Sequence, residues 1–142
     1  MRVLIDTNIM LDFLSKRPSF FKSADSIIQL CCEEKVQGFI AAHSVVNAFY
    51  ILRKEYSEET RKEILSQFTD LVPVVEIDHT SIKECLLNGK YKDLEDCLQE
   101  NCAKKCQADY IITRDPSGFS ESKIPAVSPD RFLQVFTGTS SN

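Results

Sequence analysis

Short apolar runs alternate with amphipathic helical stretches along the chain, and this alternation limits the folds open to it. Val3-Leu4-Ile5, Phe39-Ile40-Ala41-Ala42 and Tyr110-Ile111-Ile112 read as buried strands. Residues 71–77, with Pro73 and Val74-Val75, read as a strand near a sheet edge, because proline cannot donate to a central ladder. Ala126-Val127 predicts a short fifth strand. Between them, helices are predicted after Asp6, over 20–34, after Ser44 as N-cap, after Ser57, over 80–87, over 93–106 and over 129–136. Gly38 is expected to end the second of these and Gly89 the fifth. Such alternation predicts a three-layer α/β/α domain around a parallel sheet of four or five strands, with right-handed crossovers.

The 142 residues suit one domain, expected over 1–136, with a polar and disordered tail at 137–142. Net charge is −4, so the basic footprint of a tight, non-specific nucleic-acid binder is missing. A nuclease stays open, since a carboxylate-rich metal site makes a chain acidic. The apolar run near Met1 is too short for a secretory core, and no stretch approaches a membrane span. With six cysteines, a cytoplasmic protein with reduced thiols is expected. Cys102 and Cys106 share a helix spacing but lack the second ligand pair of a zinc site.

The chemistry lies in the acids. Asp6 follows the first strand and Asp115 the fourth, so both belong at the carboxyl edge of the sheet, where open α/β folds bind ligands. Asn47, Asp93 and Asp96 are expected in the first turns of helices that begin at that edge. Clustered carboxylates repel and raise one another's pKa, and a hard divalent cation removes that penalty. Such a cation can activate water against a phosphodiester. No glycine-rich phosphate loop is present, which disfavours an NTPase or dinucleotide site.

These segments resemble a known family. Asp6-Thr7-Asn8 with Asp12, Ser44 to Tyr50, Asp93-Leu94-Glu95-Asp96-Cys97-Leu98-Gln99 and Ala108 to Asp115 look like the four motifs of PIN domains, in order, over residues 1 to 120. The resemblance implies a Mg²⁺- or Mn²⁺-dependent endoribonuclease acting on RNA. It also implies kinship with VapC-like toxins, hence an antitoxin partner and a homodimer. By carry-over, Asp6, Asp96 and Asp115 are metal-binding carboxylates. Asn8 and Thr113 are supporting groups, and Asp93 is an extra ligand or support. Asn47 stands where the family usually has an acid, as in one branch of it. It is expected to orient a metal-bound water, with a single ion weakly held. Gly118 stands where relatives often have Asp and is expected to matter less.

Plainer readings exist for each residue. Asp6 can cap the first helix, Asp93 can cap the 93–106 helix, and Asp115 before Pro116 can start a turn. Asn47 can be an ordinary helix-surface residue, and Asp12 is expected on a solvated helix face. His43 and His79 fit no nucleophile or ligand pattern. Lys16, Arg17, Arg53, Lys54 and Arg114 could meet phosphates if they rim the cleft. Two other functions compete. One is a catalytically weak or inactive PIN-fold module that binds RNA or protein, which Asn47 favours. The other is another Mg²⁺-dependent α/β phosphoesterase acting on small substrates, of which a haloacid-dehalogenase-type phosphatase would want a second Asp where Asn8 stands.

Overall fold

The computed structural model describes residues 1–140. Its strands are β1 (Arg2–Ile5), β2 (Gln37–Ala41), β3 (Val74–Val75), β4 (Tyr110–Ile112) and β5 (Ala126–Val127). They form one sheet in the order β3-β2-β1-β4-β5, with every pairing parallel. The helices are α1 (Thr7–Leu14), α2 (Phe21–Cys32), α3 (Ala42–Ile51), α4 (Glu58–Leu71), α5 (His79–Leu87), α6 (Leu94–Lys105) and α7 (Pro129–Ser140).

The central strand is apolar because both of its faces are covered. Val3 and Ile5 point into a core with Ile9, Met10, Ile27, Ile40 and Phe132. Leu4, on the opposite face, packs with Ala41, Cys102, Ala103 and Ile111. In β4, Ile112 joins the first core and Ile111 the second. The three-layer expectation holds, with α6 supplying most of the second face. All six cysteines are free thiols, and all but Cys32 are buried.

Several local expectations are corrected. Ser44 does not cap α3. The helix starts at Ala42, directly from the extended Ala41, and Ser44 is fully buried within it. Asn47 therefore sits in the second turn, not the first. Helix α2 ends before Gly38, with Glu34 taking the left-handed turn at φ 58. Gly38 is instead inside β2, where a Cβ would come 2.8 Å from Cys31 Sγ, so its bareness lets α2 lie close on the sheet. Helix α7 runs on to Ser140, so residues 137–140 continue a helix. The rest of the expected tail, 141–142, lies outside the described residues.

Asp12 is also misplaced by its helical spacing. Its side chain is 1% exposed and pairs with two arginines. Helix α1 buries Thr7, Ile9, Met10, Leu11 and Asp12 together, so it has little solvated face to offer. Among the described residues, no helix is long and apolar enough to cross a membrane.

Candidate active site

Asp6 leaves β1 at the carboxyl edge and caps α1, so its plainer reading as a cap is met. Its Oδ1 accepts from the Thr7 N–H at 2.7 Å, and its Oδ2 accepts from the Thr113 hydroxyl at 2.7 Å. Thr113 follows β4, is fully buried, and its Oγ1 accepts in turn from the Asp115 N–H at 3.1 Å. The neighbouring strand ends are thus tied through one carboxylate and one hydroxyl. Burial raises the Asp6 pKa, more than these two bonds lower it, and the charges of Glu95 and Asp115 push the same way.

Asp93 caps α6, accepting from the Glu95 N–H at 2.8 Å and the Asp96 N–H at 3.3 Å. Its plain reading holds, and the cap fixes the turn that carries Glu95 and Asp96. Desolvation pushes the Asp96 carboxyl up to about 6, assisted by the charges of Asp93, Asp6, Glu95 and Asp115. Asp115 Oδ1 accepts from the Ser117 hydroxyl at 2.5 Å. Gly118 joins the picture here. A Cβ on it would lie 2.9 Å from Asp96 Oδ2 and 3.5 Å from Asp115 Oδ2. Both carboxylates therefore reach the space beside Gly118.

Asn8 and Asn47 take other partners. Asn8 Oδ1 accepts weakly from the Arg114 N–H at 3.5 Å. Asn47 Nδ2 donates to Glu95 Oε1 at 3.3 Å. Glu95, Thr7, Ser44, His43 and Gln99 were not expected to act together, yet they line one polar seam. The Thr7 hydroxyl donates to Ser44 Oγ at 2.6 Å, and Gln99 Nε2 donates to Ser44 Oγ at 2.9 Å and to Thr7 Oγ1 at 3.3 Å. His43 Nε2 lies 3.4 Å from Gln99 Nε2 and 3.8 Å from Glu95 Oε1. Burial lowers the His43 pKa against the pull of Glu95 and Asp93. The usable sign was the i, i+4 pair Glu95 and Gln99, which share a face of α6.

Of the candidate basic residues, Arg17, Arg53 and Arg114 are each engaged within the chain. Arg114 Nε lies 2.8 Å from Asp12 Oδ2, off the N–H axis, so the contact is an ion pair without a formed hydrogen bond. Its guanidinium stacks over Phe20 at 4.1 Å. Arg17 donates to Asp12 Oδ1 at 3.5 Å, and Arg53 to the Tyr50 carbonyl at 2.7 Å.

As they stand, no three His, Cys, Asp or Glu side chains among the described residues close on one ion position. The donor set still suits a hard cation. Mg²⁺ is commonly held by one or two carboxylates with water completing its shell. Asp96 and Asp115 beside Gly118 supply such a pair, and the neighbouring acids that add to burial in raising the Asp96 pKa are a repulsion a cation would relieve.

Comparison with known proteins agrees with the motifs. A family model described as PIN domain matches residues 2–117. The chain is similar to "Ribonuclease VapC1" of Aquifex aeolicus (strain VF5), 27% identical over 140 residues that cover 94% of each protein. In fold it resembles a toxin–antitoxin complex from Klebsiella pneumoniae (TM-score 0.66, 23% identity, 89% of this chain and 97% of that one). It also resembles VapBC2 of Rickettsia felis, solved bound to a DNA fragment from their promoter (TM-score 0.65, 15% identity, 90% of this chain and 98% of that one). With the family model spanning most of its length and the four motifs in order along it, this chain belongs to the PIN domain family.

Proposed function

We propose that this protein is a Mg²⁺- or Mn²⁺-dependent endoribonuclease, the toxin of a toxin–antitoxin pair. The observation that carries the reading is the gathering of Asp6, Asp96 and Asp115 from three separate segments, with Asp6 locked by Thr7 and Thr113. The similarity to a ribonuclease and to toxin–antitoxin complexes supports it.

In this reading Asp96 and Asp115 hold the cation, with Asp6 completing the acidic face. Thr113 and Thr7 orient Asp6 and favour its ionised form against the effect of burial, because hydrogen bonds to a carboxylate favour its charged form. A bound divalent ion supplies an activated water and stabilises charge developing on the phosphodiester. Asp93 fixes the first turn of α6, and Asn8 steadies the backbone at Arg114. The partners of this reading are an RNA substrate, an antitoxin and a second copy of the chain, in the cytoplasm.

The test is cleavage of several RNAs by purified protein with Mg²⁺, Mn²⁺ or EDTA, beside Asp6→Asn and Asp96→Asn together. Metal-dependent cutting that the double variant loses supports the nuclease. Intact RNA in every wild-type lane would transfer the weight to a catalytically inactive binding module.

A further inference from the structure

We infer that Glu95 supplies the acid that the second motif lacks, and that Asn47 is there to hold it. The inference rests on the nuclease reading and names a further residue of that site. Three observations on separate elements lead to it.

Asn47, on α3, directs its amide at Glu95 Oε1 across a gap of 3.3 Å. An amide at this position is therefore matched to a carboxylate on the facing helix. Thr7, the residue whose N–H holds Asp6, has its hydroxyl 3.4 Å from the same Glu95 oxygen. Glu95 thus stands one residue's reach from the Asp6 carboxylate. On α6 it is adjacent to Asp96 and tied by its own N–H to the Asp93 cap. Its side chain is 43% exposed, and its contacts with Asn47 and Thr7 are both made by Oε1.

The charge missing from α3 is therefore present on α6, beside the same residues. An acid moved from one helix to its neighbour keeps the negative charge of the site, so Asn47 does not leave it weak. Held through Oε1 by Asn47 and next to Asp96, Glu95 would add its negative charge beside a bound ion. Asn47 is then a positioning residue. A plainer role for Glu95, an acid favouring the N-terminus of α6, would affect helix stability alone.

The test is Mn²⁺ binding without RNA, by calorimetry and by loss of the free-ion electron paramagnetic resonance signal. Glu95→Gln, Asn47→Ala and the double variant are compared with the wild type, with circular dichroism confirming folding. Glu95→Gln keeps the size of the side chain and an oxygen for Asn47, so the fold is preserved. It should weaken Mn²⁺ by about tenfold or more, as loss of outer-shell partners does. Asn47→Ala should weaken it less, and adding it to Glu95→Gln should change little, since its purpose is already gone. Glu95→Gln binding within twofold of wild type, or the two losses multiplying independently, would overturn the inference while leaving the nuclease intact. A wild type that binds no Mn²⁺ would overturn both.

Discussion

Arg114→Ala is the sharpest test of how the structure treats Asp12. The carboxylate is 1% exposed and faces Arg114 Nε at 2.8 Å and Arg17 Nη1 at 3.5 Å. Removing one member of a fully buried ion pair costs about 3–5 kcal/mol, because the other charge is left uncompensated. Two features reduce this figure. Arg17 stays, and the Arg114 side chain is itself 31% exposed, so part of its pairing is screened. Losing the guanidinium from Phe20 adds about 0.5–1 kcal/mol. The net expectation is about 2–4 kcal/mol at pH 7, a fall in Tm of roughly 6–14 °C for a chain of this size. Urea unfolding measures it directly. The deficit should also depend on pH. Burial already pushes the Asp12 carboxyl up against the pull of Arg114 and Arg17, and the variant removes the stronger pull. A group whose folded pKa is raised loses stability as pH rises through it, so the gap between variant and wild type should be widest at neutral pH and narrow towards pH 4. An Arg114→Ala midpoint equal to wild type at pH 7 would refute the reasoning and return Asp12 to a solvated helix face.

Thr113→Val keeps the shape but strips the donor to Asp6 and the acceptor for the Asp115 N–H, so metal-dependent cleavage should drop about tenfold or more, with about 1–3 kcal/mol lost in urea. Gly118→Ala puts a methyl 2.9 Å from Asp96 Oδ2, so Mn²⁺ titration should show weakened binding while the melting curve barely moves, the displaced atom being the end of a flexible side chain. In EDTA, thermal stability should fall as pH rises from about 4 to about 6, because the Asp96 carboxyl titrates near 6 when folded and near 3.8 when not. Asp96→Asn should flatten that slope in the same melts.

The sheet was legible because β1 and β4 are covered on both faces and so read as unbroken apolar runs. Asp6, Asp115 and the Asp93 cap were legible for a related reason, since strand ends and helix starts are marked by local residues. What stayed hidden depended on contacts between helices. Ser44 looks like a cap, but β2 passes straight into α3 and the hydroxyl turns to Thr7 and Gln99. Asp12 looks solvated because spacing along one helix cannot say that other elements close over it. Glu95 looks like an ordinary first-turn acid until α3 is brought beside α6. Arg114 looks free to meet a phosphate until Asp12 and Phe20 claim it.

The two outer strands of the sheet, Val74–Val75 and Ala126–Val127, are each two residues long, and Pro73 precedes the first. A sheet that ends so abruptly offers a visiting strand almost no row of free N–H and C=O groups to zip onto. Growth by edge-to-edge stacking is therefore closed off at both margins. Copies of this chain crowded together at high concentration should meet through side chains on their helices, which favours discrete, reversible assemblies over fibres.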